Sequence, residues 1–118
     1  MSTQDVARDL VAMCKAGQFR ESGLKYWADN VVSIEPRGDN AEMKGKDGVL
    51  GKTDWWEGAH DVHNVVVEGP YVHGNQFIVR FKIDMTVKAS GERMQLDETG
   101  LYTVRNGKVS EERFFFGE

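Results

Sequence analysis

The chain has 118 residues, a formal net charge of −4 at pH 7 and 40% hydrophobic residues. This length suits a single domain over residues 1–118, and the composition excludes an intrinsically disordered chain. Acidic and basic residues are interspersed without a basic run, so no nucleic-acid partner is expected, and no apolar run approaches the roughly 20 residues of a membrane span.

No metal, cofactor or export signal is expected from the sequence. The single cysteine, Cys14, excludes an intrachain disulfide, and the Cys and His residues lack the spacing of a zinc site. No glycine-rich loop of the phosphate-binding kind is present, so a nucleotide cofactor is not expected. The polar start of the chain does not resemble a signal peptide, which favours a cytoplasmic protein.

Three helices and one short strand are predicted in the first half of the chain. Ser2 and Asp5 have the spacing of a capping box, which predicts a helix that ends at Gly17. A second helix is predicted over residues 19–28 and a strand over residues 31–36. A polar loop over residues 37–46 precedes a third helix over residues 47–60, one face of which carries Val49, Thr53, Trp56 and His60.

The second half of the chain is predicted to be β-structure. A strand over residues 62–67 continues beyond a bend at Gly69-Pro70, and Gly74-Asn75 indicates a hairpin turn. The next strand has the clearest alternation in the chain, and its apolar face carries Phe77, Val79, Phe81, Ile83, Met85 and Val87. Its other face is polar and mixed in charge.

Two further strands complete the predicted sheet. Residues 94–104 form a strand in which Glu98 shares a face with Leu96 and Tyr102, provided that no bulge intervenes. Asn106-Gly107 indicates a two-residue turn before a last strand over residues 109–116. The predicted order α-α-β-α-β-β-β-β indicates an α+β fold, a cone-shaped barrel in which a strongly curved antiparallel sheet packs against three helices.

Several segments resemble the nuclear transport factor 2-like superfamily, and within it the SnoaL-like and ketosteroid-isomerase-like branch. The resemblance covers nearly the whole chain and is carried by residues 27–30 (Trp-Ala-Asp-Asn), 34–36 (Ile-Glu-Pro), 45–46 (Gly-Lys) and 102–109 (Tyr-Thr-Val-Arg-Asn-Gly-Lys-Val). It implies the cone-shaped fold, a general base at Glu35, and a homodimer through the outer face of the sheet.

The chain also departs from the ketosteroid isomerase pattern. The place of the oxyanion-binding tyrosine is taken by Leu10. The place of the protonated aspartate aligns near Asp97, Glu98 or Thr99, depending on a bulge. Steroid isomerisation is therefore not the expected reaction, whereas a pocket with a different acid/base pair remains open.

Glu35 is the strongest candidate for a functional residue. It ends an otherwise apolar strand, and a desolvated carboxylate in a cavity is suited to act as a general base. The alternative is a structural glutamate at the rim of the cone, salt-bridged to Arg37 or Arg113.

Glu98 and His60 are the other candidate catalytic residues. If Glu98 faces the same cavity as Glu35, the two carboxylates are driven into different protonation states. The alternative is a bulge at Asp97-Glu98 that places both groups in solvent. His60 is either a proton shuttle or a polar ligand contact, or it is simply stabilised by the dipole at the end of its helix.

Two functions remain open from the sequence. The first is a cofactor-free isomerase or lyase, ketosteroid-isomerase-like or polyketide-cyclase-like, that acts on a small apolar carbonyl compound. Its pocket is predicted to be lined by Trp56, Phe81, Met85, Tyr102 and Arg113. The second is a non-catalytic ligand-binding or dimeric accessory module in which Glu35, Glu98 and Arg113 neutralise one another.

Overall fold

The computed structural model describes residues 1–38 and 41–116. Three helices and six strands follow one another as α1 (Thr3–Lys15), α2 (Phe19–Tyr26), β1 (Trp27–Ile34), β2 (Glu42–Lys44), α3 (Lys46–Ala59), β3 (His60–His73), β4 (Gln76–Val87), β5 (Arg93–Arg105) and β6 (Lys108–Phe116). Within these residues, no helix combines the length and apolarity that crossing a membrane requires.

Helix α1 begins at the capping box that the sequence predicts. The Ser2 side chain accepts a hydrogen bond from the Asp5 backbone N–H at 3.1 Å, and the Asp5 carboxylate accepts one from the Ser2 backbone N–H at 3.3 Å. Because these bonds satisfy backbone donors that the first helical turn leaves unpaired, they fix where the helix starts. Val6, Leu10 and Val11 on the apolar face of α1 are buried, and the helix packs against the sheet, chiefly against β3.

The six strands form one open sheet in the order β2-β1-β6-β5-β4-β3. The α+β class and the cone-like arrangement are as predicted, but the sheet is mixed and does not close into a barrel. Strands β1 and β6 run parallel, whereas every other neighbouring pair is antiparallel. The prediction of a purely antiparallel sheet was wrong because the last strand returns beside the first one, which hairpin signals between consecutive strands do not reveal.

The segment between the second and third helices also differs from the prediction. Strand β1 starts at Trp27, inside the predicted second helix, and Glu42–Lys44 is a strand where a loop was expected. The polar residues of β2 are mostly exposed, and backbone pairing with β1 holds them in the sheet. Side-chain pattern therefore could not identify this strand. Asp39 and Asn40 of the predicted loop lie outside the described residues.

The alternate apolar residues predicted in β4 lie on the inner face of the sheet. Phe81 lies opposite Glu98 on β5, and the pairing of these two strands runs without a register shift. Phe77 stacks on Tyr102 with ring centroids 4.8 Å apart. The bulge expected at Gly69-Pro70 is present as a register shift between β3 and β4. The curved inner face consequently encloses a space beneath the helices.

Candidate active site

A cavity of about 1110 Å³ lies between the helices and the inner face of the sheet. This volume slightly exceeds the usual range for small-molecule sites, which extends to about 1,000 Å³. Most of its lining is apolar or aromatic, including Phe19, Trp27, Trp56, Phe81, Tyr102 and Phe114. Charged and ionisable side chains interrupt that lining, among them Glu35, Lys52, Glu98 and Glu112.

Glu35 reaches this cavity from the end of β1. Its backbone N–H donates to the Ala41 carbonyl at 2.6 Å, which secures the position of the residue just beyond the strand. Its Oε1 accepts a hydrogen bond from Lys52 Nζ at 2.8 Å. Within the described residues, neither of the arginines proposed as partners from the sequence pairs with it.

Lys52 is a cavity residue that the sequence did not single out. It lies on α3, and its side chain is only 19% exposed. Its ammonium group donates to the Ser33 hydroxyl as well as to Glu35, and it lies 5.3 Å from the centroid of the Phe114 ring. Spacing could have found it, because Lys52 is three residues after Val49 and four before Trp56, on the same helix face.

Glu112 on β6 is the second residue that was missed. It is 6% exposed, and its Oε1 accepts from Trp27 Nε1 at 2.7 Å while its Oε2 accepts from Ser33 Oγ at 2.8 Å. Burial raises the pKa of Glu112, and the two hydrogen bonds oppose that rise. A buried acid of this kind is unfavourable unless hydrogen-bonded, and these contacts provide the compensation.

Arg113 does not line the cavity, contrary to the prediction. It pairs with Leu101 and Ile34 in the sheet, and its guanidinium lies 3.9 Å from Glu111, with a side chain that is 43% exposed. A register shift in the pairing of β5 with β6 changes the alternation of β6. The shift turns Glu112 inward and Arg113 outward, which strict alternation along the sequence could not show.

Glu98 lines the cavity from β5, opposite Phe81 and Phe116 in the neighbouring strands. Burial raises the pKa of Glu98 to about 8, the Glu35 carboxylate adds to the rise, and Lys52 opposes it. At pH 7 its neutral, protonated form therefore predominates. The cavity thus holds a carboxylic acid that can donate a hydrogen bond beside a carboxylate that can accept a proton.

His60 and Trp56 lie together near the exposed Trp55. The imidazole stacks on the Trp56 ring with centroids 4.7 Å apart, and its Nδ1 lies 2.8 Å from the Trp56 carbonyl oxygen. Both side chains line the cavity. His60 is also the first residue of β3, so the chain leaves the helix at this point.

The remaining predicted pocket residues divide into two groups. Phe81 and Tyr102 line the cavity, and burial raises the pKa of Tyr102 well above its usual range. Met85 is buried in the core and, in the described part of the chain, is not among the lining residues. Over the same residues, no group of three or more His, Cys, Asp or Glu side chains is arranged to hold a metal ion.

Helices over a curved open sheet, with a cavity holding several ionisable groups between them, define a protein of the nuclear transport factor 2-like fold. A family model described as "SnoaL-like domain" matches residues 1–116, so the chain belongs to the SnoaL-like family. Among proteins with curated functions, none matches the sequence.

Solved structures support this assignment. A SnoaL-like protein from Mesorhizobium loti, provisionally named both a polyketide cyclase and a carbohydrate phosphatase, is 46% identical. The match covers 98% of this chain and 99% of that protein with a TM-score of 0.95. A provisional isomerase from Bacillus subtilis shares 16% identity over 99% and 90% of the two chains with a TM-score of 0.76, which shows the fold alone.

Proposed function

We propose that this protein is a cofactor-free acid/base enzyme that acts on a small apolar compound with a carbonyl group. The reaction class is an isomerisation, cyclisation or dehydration that starts with proton transfer next to the carbonyl. The observation that carries the proposal is that Glu35 and Glu98 line one cavity, in which burial raises the pKa of Glu98 to about 8. The provisional name of the Mesorhizobium loti relative, polyketide cyclase, agrees with this class of reaction.

The two glutamates have complementary roles in this mechanism. The Glu35 carboxylate takes a proton from the carbon next to the carbonyl, the C–H electron pair forms the C=C bond of an enolate, and the carbonyl π electrons move to the oxygen. The Glu98 carboxylic acid donates a hydrogen bond to the carbonyl oxygen, where negative charge develops. In an isomerisation, Glu35 then returns its proton to another carbon of the same compound. The apolar lining strengthens both interactions because it excludes water.

The test is hydrogen–deuterium exchange in D₂O on a panel of apolar ketones such as 2-tetralone, followed by proton NMR. The protein is expected to accelerate exchange next to the carbonyl, and Glu35→Gln is expected to reduce the acceleration by about 10²–10⁴-fold. Glu92→Gln, an exposed residue outside the cavity, is the matched control and should retain wild-type exchange. Unchanged exchange in Glu35→Gln would remove the base assignment.

A non-catalytic ligand-binding module is the second candidate function. The ion pair between Glu35 and Lys52 favours it, because a carboxylate already paired with an ammonium is partly neutralised. In this case the ketones bind, as measured by quenching of tryptophan fluorescence, but exchange stays at the rate of the buffer. Binding with accelerated exchange excludes the module.

We also propose a second copy of this chain as the partner of the outer sheet face. That face carries the exposed apolar side chains Val66, Tyr71, Ile78 and Phe115. Between them lie ion pairs such as Arg80 with Asp97 at 2.6 Å. Apolar side chains among charges of both signs suit a self-complementary interface. Sedimentation analysis should show a dimer that Ile78→Arg converts to a monomer, and a monomeric wild type would refute this.

A further inference from the structure

A chain of hydrogen bonds with a fixed direction borders the cavity. An ammonium group has donors only, so the Ser33 oxygen accepts from Lys52 and the Ser33 O–H is left to donate. Its acceptor is Glu112 Oε2 at 2.8 Å. The indole N–H of Trp27, also a donor only, reaches Glu112 Oε1 at 2.7 Å. Both oxygens of Glu112 therefore accept, which is the pattern of an ionised carboxylate.

Lys52 also contacts a second carboxylate, that of Glu35. Its Nζ lies 2.8 Å from Glu35 Oε1, so one ammonium contacts Glu35 directly and Glu112 through a single hydroxyl. The Phe114 ring, 5.3 Å from Nζ, further favours the positive charge. The two glutamates that receive these donors share one cation between them.

Glu98 receives none of these contacts. Across residues 1–38 and 41–116 it has no hydrogen-bond or ion-pair partner, although it lines the same cavity. The charged groups that influence it are Glu35 from β1, Lys52 from α3 and Glu112 from β6. The other titratable residues of the lining are Cys14, Arg37, Glu57, His60, Asp61, Lys88 and Tyr102. Of the three neighbouring glutamates, Glu98 has no donor among the described residues to stabilise its anion. Glu98 is therefore the one that holds a proton.

We propose that Lys52 and Ser33 are positioning residues that decide which glutamate carries the proton: they hold Glu35 and Glu112 as carboxylates and leave Glu98 as the neutral acid. The division between base and acid is then built into the fold before any ligand binds. This inference rests on the proposed function for its purpose, but its test requires no substrate. Failure of the ketone assay and failure of this assignment are therefore distinguishable.

The experiment is a pH titration of the protein labelled with carbon-13 at the glutamate side-chain carboxyls, followed by NMR. One signal is expected to titrate with a midpoint of about 8, and it should be absent from Glu98→Gln. Lys52→Met should move the midpoint of the Glu112 signal to higher pH by about one pH unit, because the nearby ammonium favours the ionised form of Glu112. Lys52→Arg, which keeps the charge, should leave the midpoint near its wild-type value.

Ser33→Ala tests the second positioning residue. It removes one of the two donors to Glu112, so the midpoint of the Glu112 signal should rise by about one pH unit. A wild-type Glu98 midpoint near 4.5 would overturn the proposal. A Glu112 midpoint that is unchanged in both Lys52→Met and Ser33→Ala would also overturn it. Circular dichroism checks folding, and if Lys52→Met does not fold, the result for Ser33→Ala decides.

Discussion

Replacing Glu98 with glutamine is expected to change how the stability of the fold depends on pH. Glutamine has nearly the shape of the protonated glutamic acid but does not ionise in the cavity. In the wild type, the pKa of Glu98 rises from 4.5 to about 8 on folding, chiefly because burial disfavours its charged form. The folded state therefore holds this proton more tightly than the unfolded state does.

The sign and size of the effect follow from this difference in pKa. Below pH 4.5 both states carry the proton, so Glu98 contributes no pH dependence to the free energy of unfolding. Between pH 4.5 and about 8 only the folded state keeps it, so the free energy of unfolding falls by about 1.4 kcal/mol for each pH unit. By pH 8 and above, the accumulated loss of unfolding free energy is at most about 5 kcal/mol.

Urea denaturation at a series of pH values from 4 to 9 measures this contribution. The free energy of unfolding of Glu98→Gln should lack the fall that Glu98 causes in the wild type, so the variant becomes the more stable protein at high pH. Glu92→Gln is the control, because Glu92 is exposed and should leave the wild-type profile unchanged. Identical pH profiles for Glu98→Gln and the wild type would refute a protonated acid at this position.

Four further substitutions test other local features by urea denaturation. Trp27→Phe removes the indole donor from the buried Glu112 and should cost about 1–3 kcal/mol of unfolding free energy; a cost near zero would contradict that bond. Gly100→Ala places a methyl group 2.9 Å from an aromatic ring carbon and should destabilise by about 1–3 kcal/mol, whereas Gly58→Ala, in open space on α3, should stabilise. Ser2→Ala removes the α1 cap and should cost about 1 kcal/mol, and an unchanged midpoint would show that the cap is dispensable.

Most of the fold could be predicted because its signals are local. The capping box at Ser2 lies within one helical turn, and the alternation in β4 shows which face is buried without knowledge of its neighbours. The inward orientation of Glu98 follows from the same alternation, since β4 and β5 pair without a shift. Strand β2 and the parallel pairing of β6 with β1 were not predicted because backbone hydrogen bonds, not side-chain patterns, define them.

The sequence by itself determined which residues line the inner face wherever alternation is regular, and this pattern made Glu98 a candidate. Glu35 became a candidate because it ends an apolar strand and because of the family resemblance. Only the tertiary structure decided how these acids are partnered. Lys52 is 17 residues from Glu35, and Ser33 is 79 residues from Glu112. The β6 bulge, which turns Glu112 inward and Arg113 outward, depends on pairing with β5. Contacts over such separations form only when distant elements pack together, so no local pattern encodes them.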